Sequence, residues 1–447
     1  MAILHINNEN TYQSTQPYKI VYYKKKILVI YPLTANWIVL ETSKQLEVFK
    51  LLISGNSIQD VLNDIRYEEC DIKFVVTQIE ARRLFSKEVH NVTDNVRNLH
   101  LYLTNKCNLS CPHCYMFSGK ANDNELTTSE VLQLINDYKT IADGKRITLS
   151  GGEPSTRIDF EKILNHCYEL GLEVKVLTNG ALLTRYVIDR IHKYISEVQI
   201  SIDGYSEDTN AVIRGVGHFQ KALEAVDCFV SHGVRTSIAI TPSLESLQSN
   251  PSDFVKFAQD MISKYDGKPL DVKFAEGITN GRKISPSQSY NDQYGAIIEG
   301  IQKKIYGDDY ALIPFIEQMG QDVILNNCMF GSLAVSSVGD VYVCPDLGEL
   351  LPIANIRTSK FIDIYHKALK AEEATQISKL KPCNECELIY ICGGGCRTND
   401  FPSLAKRKSF DNIDYRNLPL RKCSSKIKER FYKLMIDSNE YLYSTSV

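Results

Sequence analysis

With 447 residues, 43% of them hydrophobic, the chain is long enough for two or three domains with cores of their own, so neither disulfides nor metals are needed merely to offset small size. A formal net charge of −3 argues against a general nucleic-acid binder. No apolar run reaches the roughly 18 residues of a membrane-spanning helix, and the opening MAILHINNENTYQ turns polar without a basic segment followed by an apolar one, so a soluble, cytoplasmic protein with no membrane partner is expected.

The first elements lie in KIVYYKKKILVIYPL, which reads as two strands about a Lys24-Lys25-Lys26 turn, followed by SKQLEVFKLLISG and SIQDVLNDI as short amphipathic helices. A small winged-helix-like unit is expected over residues 1–92. Such units can bind DNA, but 11 basic against 10 acidic side chains up to residue 90 leave a net of only +1, and no nucleic-acid partner is expected.

From Asn98 onward six β-rich runs, LHLYLT, RITLSG, EVKVLTNG, EVQISIDG, RTSIAIT and DVKFAEG, alternate with helix-length segments. This alternation implies an α/β fold with a parallel sheet. Among the helices, SEVLQLINDYKTIA follows Thr127 and Thr128, and FQKALEAVDCFVSHG ends on a glycine C-cap. CNLSCPHCY follows the first run, GGEP the second, TNG the third and SIDG the fourth. That is the strand edge at which parallel α/β sheets bind ligands. TNG and SIDG taken singly are ordinary strand-to-helix turns; four such segments at one edge indicate a site. After residue 310 the pattern becomes loop-rich around cysteines, which suggests a domain organised by metal. Between Lys406 and Lys433, 10 basic against 3 acidic residues make a block of +7, either a solvated helix face or a docking surface for a redox partner or acidic peptide.

Thirteen cysteines in a reducing compartment read as metal ligands or reactive thiols, and an odd number cannot all pair within one chain. Three lie at 107, 111 and 114 and seven between 328 and 423, while Cys70, Cys167 and Cys228 stand apart as expected small buried hydrophobes. The CxxxCxxC loop supplies three thiolates, one short of filling a tetrahedral site or a four-iron cluster. Structural zinc with a fourth ligand such as His113 is the alternative, although zinc sites more usually show paired CxxC spacing.

Cys107, Cys111 and Cys114, together with Gly151 to Pro154, resemble the signature of the radical S-adenosylmethionine superfamily. The resemblance implies a partial (β/α)6 TIM-type barrel, assigned to residues 93–310, and a [4Fe-4S] cluster on the three cysteines whose fourth iron chelates S-adenosylmethionine. It also implies hydrogen abstraction by a 5'-deoxyadenosyl radical, chemistry that belongs to the cofactor and that the protein positions and shields. Carried over position by position, the S-adenosylmethionine contacts fall on His113, Gly151, Gly152, Glu153, Asn179, Ser201, Asp203 and Arg214. Gly151, Gly152 and Glu153 face the methionyl amino group, and an arginine at 214 suits a carboxylate. No catalytic residue is assigned beyond the cluster.

Cys328, Gly339 and Cys344, followed by Cys383-x2-Cys386-x5-Cys392-x3-Cys396 and Cys423, are similar at all seven cysteines to the SPASM domain, assigned to residues 311–447. Zinc ribbons are the alternative, though the two long gaps do not suit simple CxxC pairs. The family's interleaved ligation implies one complete cluster on Cys383, Cys386, Cys392 and Cys423, and a second on Cys328, Cys344 and Cys396. No cysteine between Cys228 and Cys328 completes the second set, so an open iron is expected there, with three [4Fe-4S] clusters in all. The N-terminal unit resembles, more loosely, the PqqD-like element that pairs leader segments of precursor peptides with a sheet edge.

Together these resemblances imply a peptide maturase that forms a thioether or carbon-carbon cross-link in a ribosomally made precursor. Its partners would be the leader-bearing precursor and an electron donor such as flavodoxin or ferredoxin. The alternatives are an anaerobic sulfatase-maturing, formylglycine-forming enzyme, a peptide epimerase, and a noncatalytic peptide-binding scaffold.

Overall fold

Alternating side chains of the first strands explain how the N-terminal unit is attached. In the computed structural model, which describes residues 8–91, 98–320, 323–347, 350–418 and 423–444, three antiparallel strands come first: β1 (Lys19–Tyr23), β2 (Lys26–Tyr31) and β3 (Asn36–Leu40), in that order across the sheet. β1 and β2 meet at a two-residue turn in which Lys24 takes a φ of 53°. Three helices follow, Ser43–Ile53, Ile58–Leu62 and Glu69–Ala81. Thr42 caps the first and a Ser57–Asp60 capping box starts the second.

Val29, Tyr31, Ile38 and Leu40 face these helices and pack with Phe49, Val75 and Ile79. Leu28, Ile30, Trp37 and Val39 face the other way, against Phe315, Met319, Leu388, Ile391, Tyr432 and Met435. A strand buried on both faces shows no polar alternation, which is why KILVIY and NWIVL read as continuous apolar runs. The third strand and third helix add to the two strands and two helices expected from the sequence.

The six expected strands form one parallel array: β5 (Asn98–Thr104), β6 (Arg146–Gly151), β7 (Glu173–Thr178), β8 (Glu197–Ser201), β9 (Arg235–Ile240) and β10 (Leu270–Phe274). Each pairs with the next in sequence. Just before this array, β4 (His90–Asn91) pairs in parallel with β11 (Val323–Ile324). The helices lie where the sequence places them: Thr128–Ile141 starts in a Thr127–Glu130 capping box, and His218–Ser231 ends before Gly233, whose φ of 74° suits a C-terminal cap.

Three short strands of the cysteine-rich region, β12 (Leu333–Val335), β13 (Asp340–Tyr342) and β14 (Ala354–Asn355), extend the same sheet. β12 pairs in parallel with β5, Leu333 opposite Leu99. One hydrophobic core therefore runs from Leu99 and Leu149 in the array to Phe330, Ile364 and Phe401 in the last third of the chain. No described helix is long and apolar enough to cross a membrane.

Trp37 joins the two ends of the chain. It is 1% exposed, its indole N–H donates to the Met435 carbonyl at 3.2 Å, and the Arg82 guanidinium sits 4.2 Å from its ring centroid. Trp37→Ala is expected to cost about 3–5 kcal/mol, read as a lower denaturant midpoint. An unchanged midpoint would mean that this interface contributes nothing to folding.

Candidate functional site

The cysteine loop begins where β5 ends and is tied down on both sides. Glu125 accepts from Thr104 Oγ1 at 2.7 Å and from the Asn105 N–H at 2.6 Å, and the Cys107 N–H donates to the Gly119 carbonyl at 3.0 Å. From the segment after β10, the Arg282 N–H donates to the Cys114 carbonyl at 3.2 Å and the Lys283 N–H to that of Pro112 at 2.8 Å. The Arg282 guanidinium reaches Ser110 Oγ at 2.5 Å and the Ser118 carbonyl. A Cβ at Gly281 would stand 2.6 Å from the His113 carbonyl, so only glycine allows this approach. Cys107, Cys111 and Cys114 are all half-buried and within electrostatic reach of one another. Burial pushes the Cys107 and Cys111 thiols up, while Arg214 pulls Cys111 down.

Gly151 and Gly152 follow β6 at contact distance from this loop: added Cβ atoms would meet the Thr104 and Lys106 carbonyls at 2.3 Å each. The Gly152 and Glu153 N–H groups donate to those same two carbonyls, both at 2.8 Å. Glu153 is fully buried, and burial raises its carboxyl against the pull of four donors. These are Ser155 Oγ at 2.6 Å, the Ser155 N–H at 3.2 Å, Thr178 Oγ1 at 2.8 Å and the Asn179 N–H at 2.7 Å.

From Glu153 a chain of hydrogen bonds runs along the carboxyl edge of the sheet. His218 Nε2 donates to the Asn179 carbonyl at 2.8 Å, Asn210 Nδ2 donates to His218 Nδ1 at 3.0 Å, and the Asp203 N–H donates to Asn210 Oδ1 at 3.0 Å. The Asp203 carboxylate accepts from the Thr241 N–H at 2.9 Å and lies 2.6 Å from Arg214 Nε and 3.5 Å from His113 Nε2. Asn179 also donates to Asn108 at 2.9 Å within the cysteine loop. The carboxylate nearest Arg214 is thus the protein's own, and Ser201 closes β8 just before it.

His113, Gly151, Gly152, Glu153, Asn179, Ser201, Asp203 and Arg214 consequently share one strand edge with the three cysteines. Asp203 Oδ2 and Arg214 Nε, though close, are not aligned for a hydrogen bond with each other, and both are buried within reach of Cys111. Buried polar atoms without aligned partners beside three convergent thiols fit a cluster carrying a polar, charged ligand. Asn210, His218, Gly281 and Arg282 are additions to the sequence reading. Their only signal is polar or glycine residues in segments that no motif claims.

The seven remaining clustered cysteines fall into two places. Cys383, Cys386, Cys392 and Cys423 line one cavity of about 250 Å³ together with Glu387, Gly394 and Lys428. Burial pushes Cys386 up to about 11. Burial would also raise Glu387, but hydrogen bonds from Lys428 and Tyr432 hold it down at about 2. Cys328 and Cys396 both lie within electrostatic reach of Cys344, and burial together with these neighbours pushes Cys344 up to about 12. Both groups are held by the loop Gly393-Gly394-Gly395, all at positive φ, which wraps a fully buried Arg397. Arg397 donates to the carbonyls of Thr375, Gly393, Gly395 and Asn326 at 2.7–3.3 Å. Of the isolated cysteines, Cys167 and Cys228 are buried, but Cys70 is exposed because it faces solvent in the first turn of its helix.

A cavity of about 720 Å³ runs along the parallel array from the amino ends of its strands, at Asn98, Arg146, Glu173, Glu197 and Arg235, past His100, Thr148, Lys175 and Gln199 further along them. Tyr115, next to Cys114, Met329, next to Cys328, and Pro345 and Asp346, after Cys344, close it. The cavity therefore reaches chain neighbours of Cys114, Cys328 and Cys344, while none of these cysteines is among its lining residues.

Residues 101–247 match the radical SAM superfamily model and residues 327–387 the SPASM iron-sulfur cluster-binding domain. The chain is 28% identical to mycofactocin maturase MftC of Mycobacterium tuberculosis over 67% of this chain and 78% of that protein. It is equally identical to an AdoMet-dependent heme synthase of Methanosarcina barkeri, over 67% and 90%. Among solved structures, Streptococcus suis SuiB bound to S-adenosylmethionine shares the fold at a TM-score of 0.51 and 17% identity, over 91% of this chain and all of that one. The enzyme anSMEcpe with bound AdoMet does so at 0.55 and 18%, over 77% and 95%.

His218 is 3% exposed, and burial, reinforced by Arg214, lowers its pKa to about 4. An unfolded histidine titrates near 6.5. Between about pH 6.5 and 4 the unfolded chain therefore binds a proton that the native chain does not. Stability should fall as pH drops through that window, by at most about 3 kcal/mol, and level off below it. Denaturant unfolding at pH 7, 6 and 5 is expected to show a smaller decline for His218→Gln than for the parent chain; parallel declines would remove His218 from the account.

Proposed function

We propose that this radical S-adenosylmethionine enzyme is a peptide maturase that installs an intramolecular thioether or carbon-carbon cross-link in a ribosomally made precursor. The observation that carries the reading is the 720 Å³ cavity that borders both Tyr115, beside the first cysteine loop, and Met329 and Pro345, beside Cys328 and Cys344. A substrate held there is next to both places at once. The resemblance to mycofactocin maturase supports a peptide substrate. When bound, S-adenosylmethionine and the clusters supply a hydrogen-abstracting radical and the acceptor for the electron lost as the bond closes. Closing either bond removes two hydrogens from the peptide.

In this reading the chain's own residues hold and shield. Cys107, Cys111 and Cys114 hold the first cluster, with Arg214 offsetting the charge at Cys111. Gly151, Gly152 and Glu153 present the backbone beside the methionyl end, while Asn179, Ser201, Asp203, Arg214 and His113 contact the rest of S-adenosylmethionine. Cys383, Cys386, Cys392 and Cys423 hold a second cluster fully. Cys328, Cys344 and Cys396 hold a third with one open iron, near enough to the cavity for a substrate thiolate to reach.

Residues 1–92 serve as a PqqD-like, winged-helix-type recognition domain, 93–310 as the partial barrel and 311–447 as the SPASM domain. A cytoplasmic flavodoxin or ferredoxin donates electrons. A formylglycine-forming activity, as an alternative, uses the same cysteines, but the edge strand β1 favours leader binding. Its partially exposed residues leave one side of the three-stranded sheet available for strand addition.

Two experiments test the reading. With a leader-bearing precursor peptide, the reconstituted enzyme is expected to form 5'-deoxyadenosine and to lower the peptide mass by two hydrogens per cross-link. A Cys107, Cys111, Cys114→Ala variant should lose about a third of its iron and all of that turnover; continued cofactor cleavage by this variant would refute the central assignment. If a substrate cysteine meets the open iron, the peptide should perturb that cluster's electron paramagnetic resonance signal and its Cys→Ala form should not.

Leader binding is tested at β1. In a hairpin closed by the Tyr23–Lys26 pair, Ile20 and Tyr22 turn their N–H groups to the free edge. Tyr22→Pro should weaken precursor binding about tenfold or more while leaving peptide-independent cofactor cleavage unchanged. Equal affinity would make residues 1–92 a structural cap.

A further inference from the structure

Away from both cysteine-rich regions, two helices on the outside of the barrel bring together residues that no motif claims. Asp189 and His192 lie three positions apart at the end of the helix Arg185–Ile191, and Cys228 and His232 four positions apart at the end of His218–Ser231. Such spacings place each pair on one helix face. One donor atom each from Asp189, Cys228 and His232 lie within 4.8 Å of one another, and the His192 ring lies against that of His232, tilted by 37° with centroids 4.0 Å apart. Cys228 is 1% exposed, His232 half-buried and Asp189 exposed, so the group is open to solvent on one side only.

The hydrogen bonds of the two imidazoles narrow what this cluster does. His232 Nδ1 lies 2.8 Å from the Cys228 carbonyl, and His192 Nδ1 lies 3.1 Å from the Ile188 carbonyl. A carbonyl only accepts, so both Nδ1 atoms carry the proton, and each neutral ring keeps its lone pair on Nε2. His232 Nε2 then faces the Asp189 carboxylate at 3.2 Å. Two acceptors at that distance need a proton or a cation between them. Metal-ligating histidines tie down the other ring nitrogen in this way.

We propose that Asp189, Cys228 and His232 bind a zinc ion, with the His192 ring packed against that of His232 and the fourth position left to solvent on the exposed Asp189 side. A thiolate and a carboxylate together balance the charge of a divalent ion. Mixed sulfur, nitrogen and oxygen donors suit zinc rather than magnesium or calcium. Arg185, within electrostatic reach of Cys228, opposes the cation, and Asp227, also within reach, is engaged by Tyr265 and Lys264. The ion would pin the lower ends of two helices whose upper ends reach the site edge. One helix follows the Asn179 loop, and the other begins at His218, about 15 Å from Cys228 along its axis.

The test uses the full-length enzyme with its clusters reconstituted, washed with a mild chelator and dialysed against zinc sulfate. Elemental analysis is expected to give one zinc per chain above the iron, and zinc should raise the thermal midpoint. Cys228→Ser and the surface substitution Asp189→Asn should each reduce the zinc to background and abolish the thermal shift, with iron content unchanged as the check on folding. Zinc uptake equal in the parent and both variants would place the metal elsewhere. No uptake at all would mean that a proton alone joins His232 to Asp189. Either result overturns the proposal.

Discussion

The carboxyl edge of the parallel sheet is organised by one fully buried carboxylate and the hydrogen bonds that lead away from it. Glu153 sits where β6 gives way to its loop, and an isolated charge there would be costly. Four donors from two successive loops offset that cost, so the loops after β6 and β7 cannot move independently. The Asn179 carbonyl passes the constraint to His218, then Asn210, then the backbone of Asp203, whose carboxylate meets Thr241 after β9. Four strand ends are thereby indexed to one another through hydrogen bonds. Partly satisfied networks of this kind are expensive, so the arrangement specifies a single geometry for the edge.

Much of this was legible in the sequence, for a physical reason. β-rich runs separated by helices produce a parallel array almost by necessity, and motifs placed just after such runs must converge at one edge. The CxxxCxxC loop was legible because thiolate spacing is chemistry read along the chain, whereas the division of the other seven cysteines came from the resemblance to a known domain. What remained hidden depends on contacts between distant segments. Nothing local in NWIVL distinguishes a strand buried on both faces from a buried helix segment. β12, β13 and β14, of three, three and two residues, are too short to carry a period. Asn210 and His218 look like ordinary polar residues until the fold closes around them, and Gly281 matters only because His113 lies against it.

The second cysteine-rich region shows another way of holding ligands in place. Where the first loop is strapped from outside by residues 281–283, the later one is organised from inside by Arg397. A guanidinium has five donors in a rigid plane, and here it takes four carbonyls from three segments. Three consecutive glycines at positive φ let the chain turn around it. Replacing Gly394 would drive a Cβ to 1.9 Å from Ile377, so backbone shape and arginine placement are mutually dependent.

The apolar face of the N-terminal sheet has a consequence for how the chain is made. Leu28, Ile30, Trp37 and Val39 are covered in part by Phe315 and Met319, about 280 residues later, and fully only with Tyr432, Met435 and Ile436, about 400 residues later. At roughly 5–20 residues per second, a ribosome takes on the order of 20–80 seconds to deliver that cover. Until Phe315 is made the nascent sheet has one bare hydrophobic side, and until the last helix is made that side is only partly covered, the kind of surface that holding chaperones bind. Production of this protein in a foreign host should therefore be sensitive to chaperone supply and to temperature during synthesis, independently of how well iron is delivered to its cysteines.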